Sequence, residues 1–335
     1  MALIACVPNI SEGRDKKIIK AIVKAVEQTP GVKVLGVDCG FDVNRTVITF
    51  VGQPEKVEEG AYACIKKSYE LIDMSKHHGK HIRMGCVDVC PFIPIEKATI
   101  DDCAAIASSL GARIGSDFGI PVYLYGHAAS TFKRQDLAFI RRGEYEHLAI
   151  KLQNTPPDFG TSNYNEIVKK SGAISIGARN VLIAYNINLN TKDLDKAKEI
   201  AAVIRESGLN HTGDGMLKAV KAIGWYIEEY GRCQVSINLE DYKKTPLYLV
   251  YETCVSEAKK RGITVTGSEL IGFVPKEVML DTAKYYLNRQ GRITLGMSMR
   301  DIMNVVVENL GLDDIAPFHA EERVLELKLK SLNIN

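Results

Sequence analysis

The sequence predicts an α/β protein, of the α+β kind, built as two subdomains. At 335 residues the chain is too long for a single minimal core. Strand-like and helix-like hydrophobic periods alternate along its whole length. The short GFDV link between VKVLGVDC and NRTVITFVG predicts a hairpin, so these neighbours pair antiparallel. That excludes the uninterrupted parallel order of a nucleotide-binding Rossmann domain.

In chain order, ALIACVPN reads as a strand, and residues 15–27 as a helix with Ile18, Ile19, Ile22, Val23 and Val26 on one face. After the hairpin, residues 54–72 read as a helix with Pro54 near its start. The basic segment DMSKHHGKHIRM, interrupted by Gly79, is a loop or a helix end. CVDVCPFIPI is a strand, residues 100–114 a helix, IPVYLYG a strand, and residues 133–152 mostly helical. QNTPPDFGTSNYN has the composition of an extended surface loop. GAISIGARNVLIAYNINLN reads as two strands broken around 177–180, which sets a boundary near Ala178: residues 1–178 and 179–335. The second part continues with a helix at 192–207, the Gly-rich loop SGLNHTGDGM, strands AVKAIGWYI and CQVSINLED, a helix at 246–261, a strand in ITVTGSELIG and a helix at 275–287.

Composition narrows the function. With 46% apolar and 25% charged residues the chain has the make-up of a soluble protein with a sizeable core. Its 43 basic and 41 acidic residues leave a net charge of +2, which gives no electrostatic case for a nucleic-acid or membrane-surface partner. No apolar run approaches the roughly 20 residues that span a bilayer, and the start lacks a basic leader, so a cytoplasmic location is expected. The eight cysteines are dispersed, which predicts reduced thiols. Cys86 and Cys90 share a strand face but lie too far apart along it for an easy disulfide.

Three of the seven histidines, His77, His78 and His81, crowd into one polar loop with Lys76, Lys80 and Arg83. Imidazole titrates nearest neutrality and suits general acid/base work; a solvated basic loop is the plain alternative. The His77 to His81 spacing also permits a metal pair on one helical turn, against which stand Gly79 and the neighbouring cations. Other polar groups gather at strand ends: Asn9 with Glu12 and Arg14, Asp38 with Asn44 and Arg45, and Asp88 inside an otherwise apolar strand. Asp38 suits orienting an imidazole or taking a proton, or simply starting a turn. Tyr123, Tyr125, Phe159, Tyr164, Trp225 and Tyr226 suit a flat heterocycle, or a core.

Ordered motifs across nearly the whole chain carry a family resemblance. ACVPNISEGR, VDCGFDVNRTVITFVGQPE, LIDMSKHHGKHIRMGCVDVCPFIP, PVYLYGHAA, RRGEYEHL, PDFG, GARNVLIAYNINL, IGWYIEE, QVSINLEDY and GSELIGFVP closely resemble glutamate formiminotransferases. The resemblance implies transfer of a formimino group from N-formimino-L-glutamate to N5 of tetrahydrofolate in histidine breakdown. It also implies two α/β subdomains with mixed sheets packed against each other and helices outside, folate between them, and a homodimer. The chain stops before the helical cyclodeaminase domain that some relatives add, so that second activity is not expected. By motif, His81 takes the place of the catalytic histidine and Asp38 that of an active-site aspartate. Asn9, Asn44, Arg45 and Arg83 become candidates for substrate or folate carboxylates and polar groups, and Gly160, Tyr164 and Gly172 mark the folate segment. Lys80 and Ile82 depart from the family's acidic residue and proline, and Lys80 is expected to depress the pKa of His81. Other readings are a different formimino or formyl donor, such as formiminoglycine or 5-formyltetrahydrofolate, a non-catalytic folate-binding protein, and a metal hydrolase using His77 and His81.

Overall fold

The structure is a computed structural model that describes residues 2–334. Its contacts divide the chain into one unit ending at Asn180 and a second beginning at Val181.

The first unit is a seven-stranded mixed sheet. Strands β1 (Leu3–Cys6) and β2 (Asn9–Ile10) are two short runs between β4 (Arg45–Gly52) and β5 (Val87–Glu96), antiparallel to both. Strand β3 (Val32–Gly40) flanks β4 antiparallel, so the expected hairpin is present. On the other side β5, β7 (Ile174–Ala178) and β6 (Val122–Gly126) run parallel. Helices α1 (Lys16–Glu27), α2 (Pro54–Leu71) and α3 (Ile100–Phe118) supply the crossovers. Their starts follow local chemistry. Asp15 caps α1 by accepting from the Lys17 and Ile18 N–H groups, Pro54 sits where a helix needs no N–H, and Thr99 with Asp102 forms a reciprocal capping box on α3. They bury Ile22, Ile65 and Leu110 against Ile4, Phe50, Phe92 and Ile176.

The opposite face of this sheet is covered differently. A smaller core there joins Val89, Tyr123 and Tyr125 to Ile140, Leu148, Leu152 and Val168 from three short helices, α4 (Leu137–Ile140), α5 (Leu148–Asn154) and α6 (Glu166–Ser171). The long helix expected over 133–152 is therefore broken into pieces. Asp136 caps α4, and beyond it Gly143 and Glu144 both take positive φ, a conformation that no helix continues through. Tyr123 and Tyr125 are core residues.

The second unit is a four-stranded antiparallel sheet, β11 (Val265–Ile271), β8 (Ile183–Leu189), β10 (Arg232–Leu239), β9 (Val220–Ile227), with α7 (Leu194–Ile204), α8 (Leu247–Lys260) and α9 (Lys276–Arg289) packed into one core. Helix α10 (Met299–Leu310) adds Ile302, Met303 and Val306 to that core, and two short helices, α11 (Ala320–Arg323) and α12 (Leu325–Ser331), follow. The sequence reading assigned none of these last three, although α10 opens on a Ser298/Asp301 capping box and ends at Gly311 in the left-handed conformation. On the other face a hydrogen-bonded chain runs Trp225, Gln234, Asn188, Asp314, closed by Arg232 on Asp314.

All eight cysteines are free, and Cys39 alone is exposed. Among the described residues no helix is long and apolar enough to cross a membrane.

Candidate active site

The site grows from one charged residue in an apolar strand. Asn9 faces Val89 and Ile10 faces Val87, which leaves Asp88 as the extra residue of a β-bulge. A bulge re-aims a side chain that regular alternation would point elsewhere. The Asp88 carboxylate is fully buried. Its Oδ1 accepts from the Met84 N–H at 3.0 Å, and its Oδ2 accepts from Nη1 of Arg45 at 2.8 Å and from Nη1 of Arg141 at 3.1 Å. Burial alone would push this carboxyl up; the Arg141 and Arg45 charges outweigh it and hold the carboxyl below its usual range.

Arg45 comes from the start of β4, and its Nε donates to Asn9 Oδ1 across the sheet at 3.1 Å. The Asn9 amide in turn donates to the Val7 carbonyl at 2.8 Å. Register places the remaining acid. Asp38 pairs with Val47, which pairs with Asn9, and residues opposite one another share a face. Arg45 lies two residues before Val47 and so projects to that same face. Asp38, Asn9 and Arg45 are thus brought together on one side of the sheet, with Asp38 half-buried.

His81 reaches this cluster from the loop after α2. Its Nδ1 lies 2.7 Å from the Ile82 carbonyl oxygen. A carbonyl only accepts, so Nδ1 carries the proton and Nε2 has the basic lone pair. The same carbonyl accepts from Arg141 Nη1 at 3.4 Å, which ties the histidine's orienting group to the Asp88 cluster. Loss of water around the half-buried ring, followed by the Arg45 and Arg141 charges, pulls the His81 pKa down to about 3. Lys80 is not the source of this field. Its ammonium lies 4.0 Å from Asp42, and the cations that act on His81 come from β4 and from the end of α4.

The other two histidines are placed differently. His77 is buried, donates from Nε2 to the Asn44 carbonyl at 2.9 Å and accepts at Nδ1 from Arg83 Nε at 3.2 Å. Both ring nitrogens are occupied by the fold. His78 is exposed, and its carbonyl accepts from the Asn44 side chain at 2.9 Å. Asn44 itself has φ 48° and also accepts from the Gly13 N–H at 2.9 Å, so it joins three loop segments. Arg83 donates to both Glu146 oxygens, at 2.6 and 2.8 Å, and to Glu144 at 3.3 Å. Of the two arginines singled out from sequence, Arg45 stands in the His81 cluster and Arg83 in this clamp. A cleft of about 490 Å³ beside the clamp is lined by His78, Gly79, Arg83, Gly143, Glu144, Glu146 and His147.

The segment after PDFG begins and ends on glycines in conformations that other residues resist. Gly160 has φ 82°, and a Cβ there would lie 1.9 Å from the Ile120 carbonyl; Gly172 has φ 71°, and its Cβ would lie 2.1 Å from the Met84 carbonyl. The second contact pins the segment to the end of the His81 loop, where Gly85 bridges Gly172. Between the glycines Tyr164 is 42% exposed. Among the described residues no group of three or more His, Cys, Asp or Glu is arranged to hold a metal ion.

Asp88 was visible in the sequence as a lone charge in an apolar strand. Arg141 was not singled out, because it sits in the charged run RRGEYEHL, where nothing local separates it from Arg142. Two outcomes follow from this geometry. Asp88→Asn leaves two arginines over an uncharged partner and is expected to cost about 3–5 kcal/mol in urea unfolding at neutral pH. His81 stays neutral in the folded state down to about pH 3, whereas in the unfolded chain it takes a proton near 6.5. The unfolded state therefore binds more protons between these values, and stability falls as pH drops through that window. His81→Gln should flatten this decline in Tm, measured by thermal melts at stepped pH.

A family model described as the formiminotransferase domain, N-terminal subdomain, matches residues 3–179, and one described as the formiminotransferase domain matches residues 184–330. The glutamate formimidoyltransferase of Thermoplasma acidophilum is 43% identical over 295 residues, 87% of this chain and 94% of that protein. Its Streptococcus pyogenes counterpart is 39% identical over 287 residues, 85% and 93% of the two chains. The formimidoyltransferase-cyclodeaminase of Sus scrofa is 47% identical over 326 residues, 97% of this chain, which spans 59% of that relative's length. Matched by domain models in both of its units and by full-length relatives through both, the chain belongs to the formiminotransferase family.

Proposed function

We propose that this protein transfers the formimino group of N-formimino-L-glutamate to N5 of tetrahydrofolate, giving 5-formiminotetrahydrofolate and L-glutamate, as a step of histidine breakdown. Family membership supports the reaction type. The observation that carries the mechanism is the Nδ1–H of His81 donated to Ile82, which leaves Nε2 as a proton acceptor. Tetrahydrofolate is the acceptor substrate, and a cytoplasmic homodimer is part of the same reading.

In this mechanism N5 of the folate attacks the amidine carbon, and the new C–N5 bond gives a tetrahedral intermediate. His81 Nε2 takes the proton that N5 loses. The bond from that carbon to the glutamate nitrogen then breaks, and His81 returns the proton to the departing amine. Imidazole is neutral at physiological pH here, the form the first step needs. Asp38 is assigned to the amidinium side of the donor, because an amidine carries positive charge that a carboxylate stabilises and an arginine repels. Asn9 and Arg45 sit on the same face for polar groups of the substrates. Arg83 and Asn44 act on the reaction through the loop they hold. Gly160, Tyr164 and Gly172 belong to the segment assigned to folate.

His81→Ala should lower turnover by about 100- to 10,000-fold with folding intact, as loss of a general acid/base requires. His78→Ala should remain near the parent rate. His77→Ala should act mainly on stability, by about 1–3 kcal/mol, because it strands the Asn44 carbonyl and Arg83. Equal rate losses at all three would point to a metal cluster and sink the assignment. The folate segment is tested by exchanging residues 161–165 for Gly/Ser. A longer exchange through 170 would remove Val168, which is fully buried. Tetrahydrofolate should raise the parent's Tm in a concentration-dependent way, and the exchange should abolish that shift; an undiminished shift would remove this segment from the folate site.

A further inference from the structure

His77 is an imidazole that the reaction does not use. It is buried, its Nε2–H donates to the Asn44 carbonyl at 2.9 Å, and its Nδ1 accepts from Arg83 Nε at 3.2 Å. The second bond joins residues six positions apart, and so closes a loop around His81 and the Ile82 carbonyl that orients it. Arg83 is not free to turn aside. Glu146 takes both of its terminal nitrogens, and Glu144 shares one of them. Within the closed loop a Cβ at Gly79 would collide with the Val43 carbonyl, so the loop lies directly on the hairpin.

This arrangement accepts only one state of the ring. With a proton on each nitrogen, imidazole has two donors and no acceptor. Nδ1–H would then face the Arg83 Nε–H, and one cation would face another at hydrogen-bond distance. Other charges act on His77 from the turn before α1, where Glu12 favours the added proton and Arg14 opposes it; the adjoining Lys76 pairs with Asp73. Burial pulls the His77 pKa below its ordinary value, the Asn44 carbonyl opposes this, and Arg83 adds to it. His81, in the cluster with Asp38, Asp88, Arg45 and Arg141, stays neutral down to about pH 3. The one arginine on His77 shares its charge with two carboxylates, whereas His81 feels both Arg45 and Arg141, so His77 takes its proton first as pH falls.

We propose that His77 is a positioning residue that works as a proton-sensitive latch: while Nδ1 is bare the loop is closed and His81 is in place, and proton uptake there breaks the contact with Arg83 and releases the His81 loop. The effect on rate rests on the transferase reading; the opening itself does not. Activity is then lost on the acid side through loop release, at a pH where the His81 base is still neutral. The sign follows from the tautomer. The latch holds above the His77 pKa and opens below it, in the range under about 6.5. Truncation differs from protonation, since His77→Ala removes a strut but sets no second charge against Arg83.

The experiment compares the parent with His77→Gln, whose side-chain oxygen can accept from Arg83 and whose amide can donate to Asn44 without titrating. kcat/KM for N-formimino-L-glutamate, at saturating tetrahydrofolate, is followed from about pH 8 to about pH 4.5; the substrates' own titrations are common to both proteins. The acid limb of His77→Gln should lie about one pH unit or more below the parent's. A second readout needs no turnover: hydrogen exchange of peptides spanning residues 74–84, corrected for the intrinsic effect of pH. Between about pH 7.5 and about pH 5 their protection in the parent should fall roughly tenfold or more while that of β4 holds, and in His77→Gln it should stay level. Coincident acid limbs in the two proteins, or loop protection in the parent that does not change with pH, would overturn the latch. Should His77→Gln fail to fold, the parent's exchange decides alone. A parent that uses no formimino donor would sink the transferase reading and leave the latch to be judged by exchange.

Discussion

Asp88 is the constraint on which the first unit's chemistry depends. Burying an unpaired carboxylate costs several kcal/mol, a large share of a protein's net stability, so its position demands the surroundings it has: a backbone N–H on one oxygen and two arginines on the other. Those partners come from three parts of the chain, β4, the turn before β5, and the end of α4. Holding one acid therefore fixes the relative placement of all three. The bulge between β2 and β5 makes this possible, because an extra strand residue need not follow the in-and-out alternation of its neighbours.

The loop that carries His81 is tied down at both ends. Asn44 joins it to the hairpin and to Gly13, His77 spends both nitrogens on Asn44 and Arg83, and Arg83 reaches Glu146 with two parallel hydrogen bonds. Past His81, Gly85 and Gly172 bring two backbones closer than any side chain allows. The imidazole is thus held in one orientation by the fold itself. Neighbouring histidines of one loop are held differently, His77 through both ring nitrogens and His81 through Nδ1 on the Ile82 carbonyl.

Much of the architecture was legible along the chain because it is written in local terms. The GFDV link, Pro54 and the apolar face of residues 15–27 each specify a hairpin or helix through interactions spanning a few residues, and each is present. The segment 133–152 was misread as mostly helical because its composition suits a helix. What breaks it is the positive φ of Gly143 and Glu144, imposed where the chain turns over the sheet's second face. The C-terminal helix α10 carried legible caps, Ser298, Asp301 and Gly311, and was passed over nonetheless.

The site divides along the same line. By itself the sequence determined which residue types were at hand: three histidines in one loop, a charge in an apolar strand, arginines near strand ends, and motifs that resemble formiminotransferases. It did not distinguish His77 from His81, since each is an imidazole in a basic loop. Only the tertiary structure decided that, by filling both nitrogens of one ring and setting the other against a carbonyl shared with Arg141. Nor did it reveal Arg141, whose partner Asp88 lies 53 positions away in the chain. Charge pairs across such separations leave no periodicity and no local signature; they exist once a bulge, a broken helix and a pinned loop bring the groups within hydrogen-bond distance, where low dielectric makes each one felt.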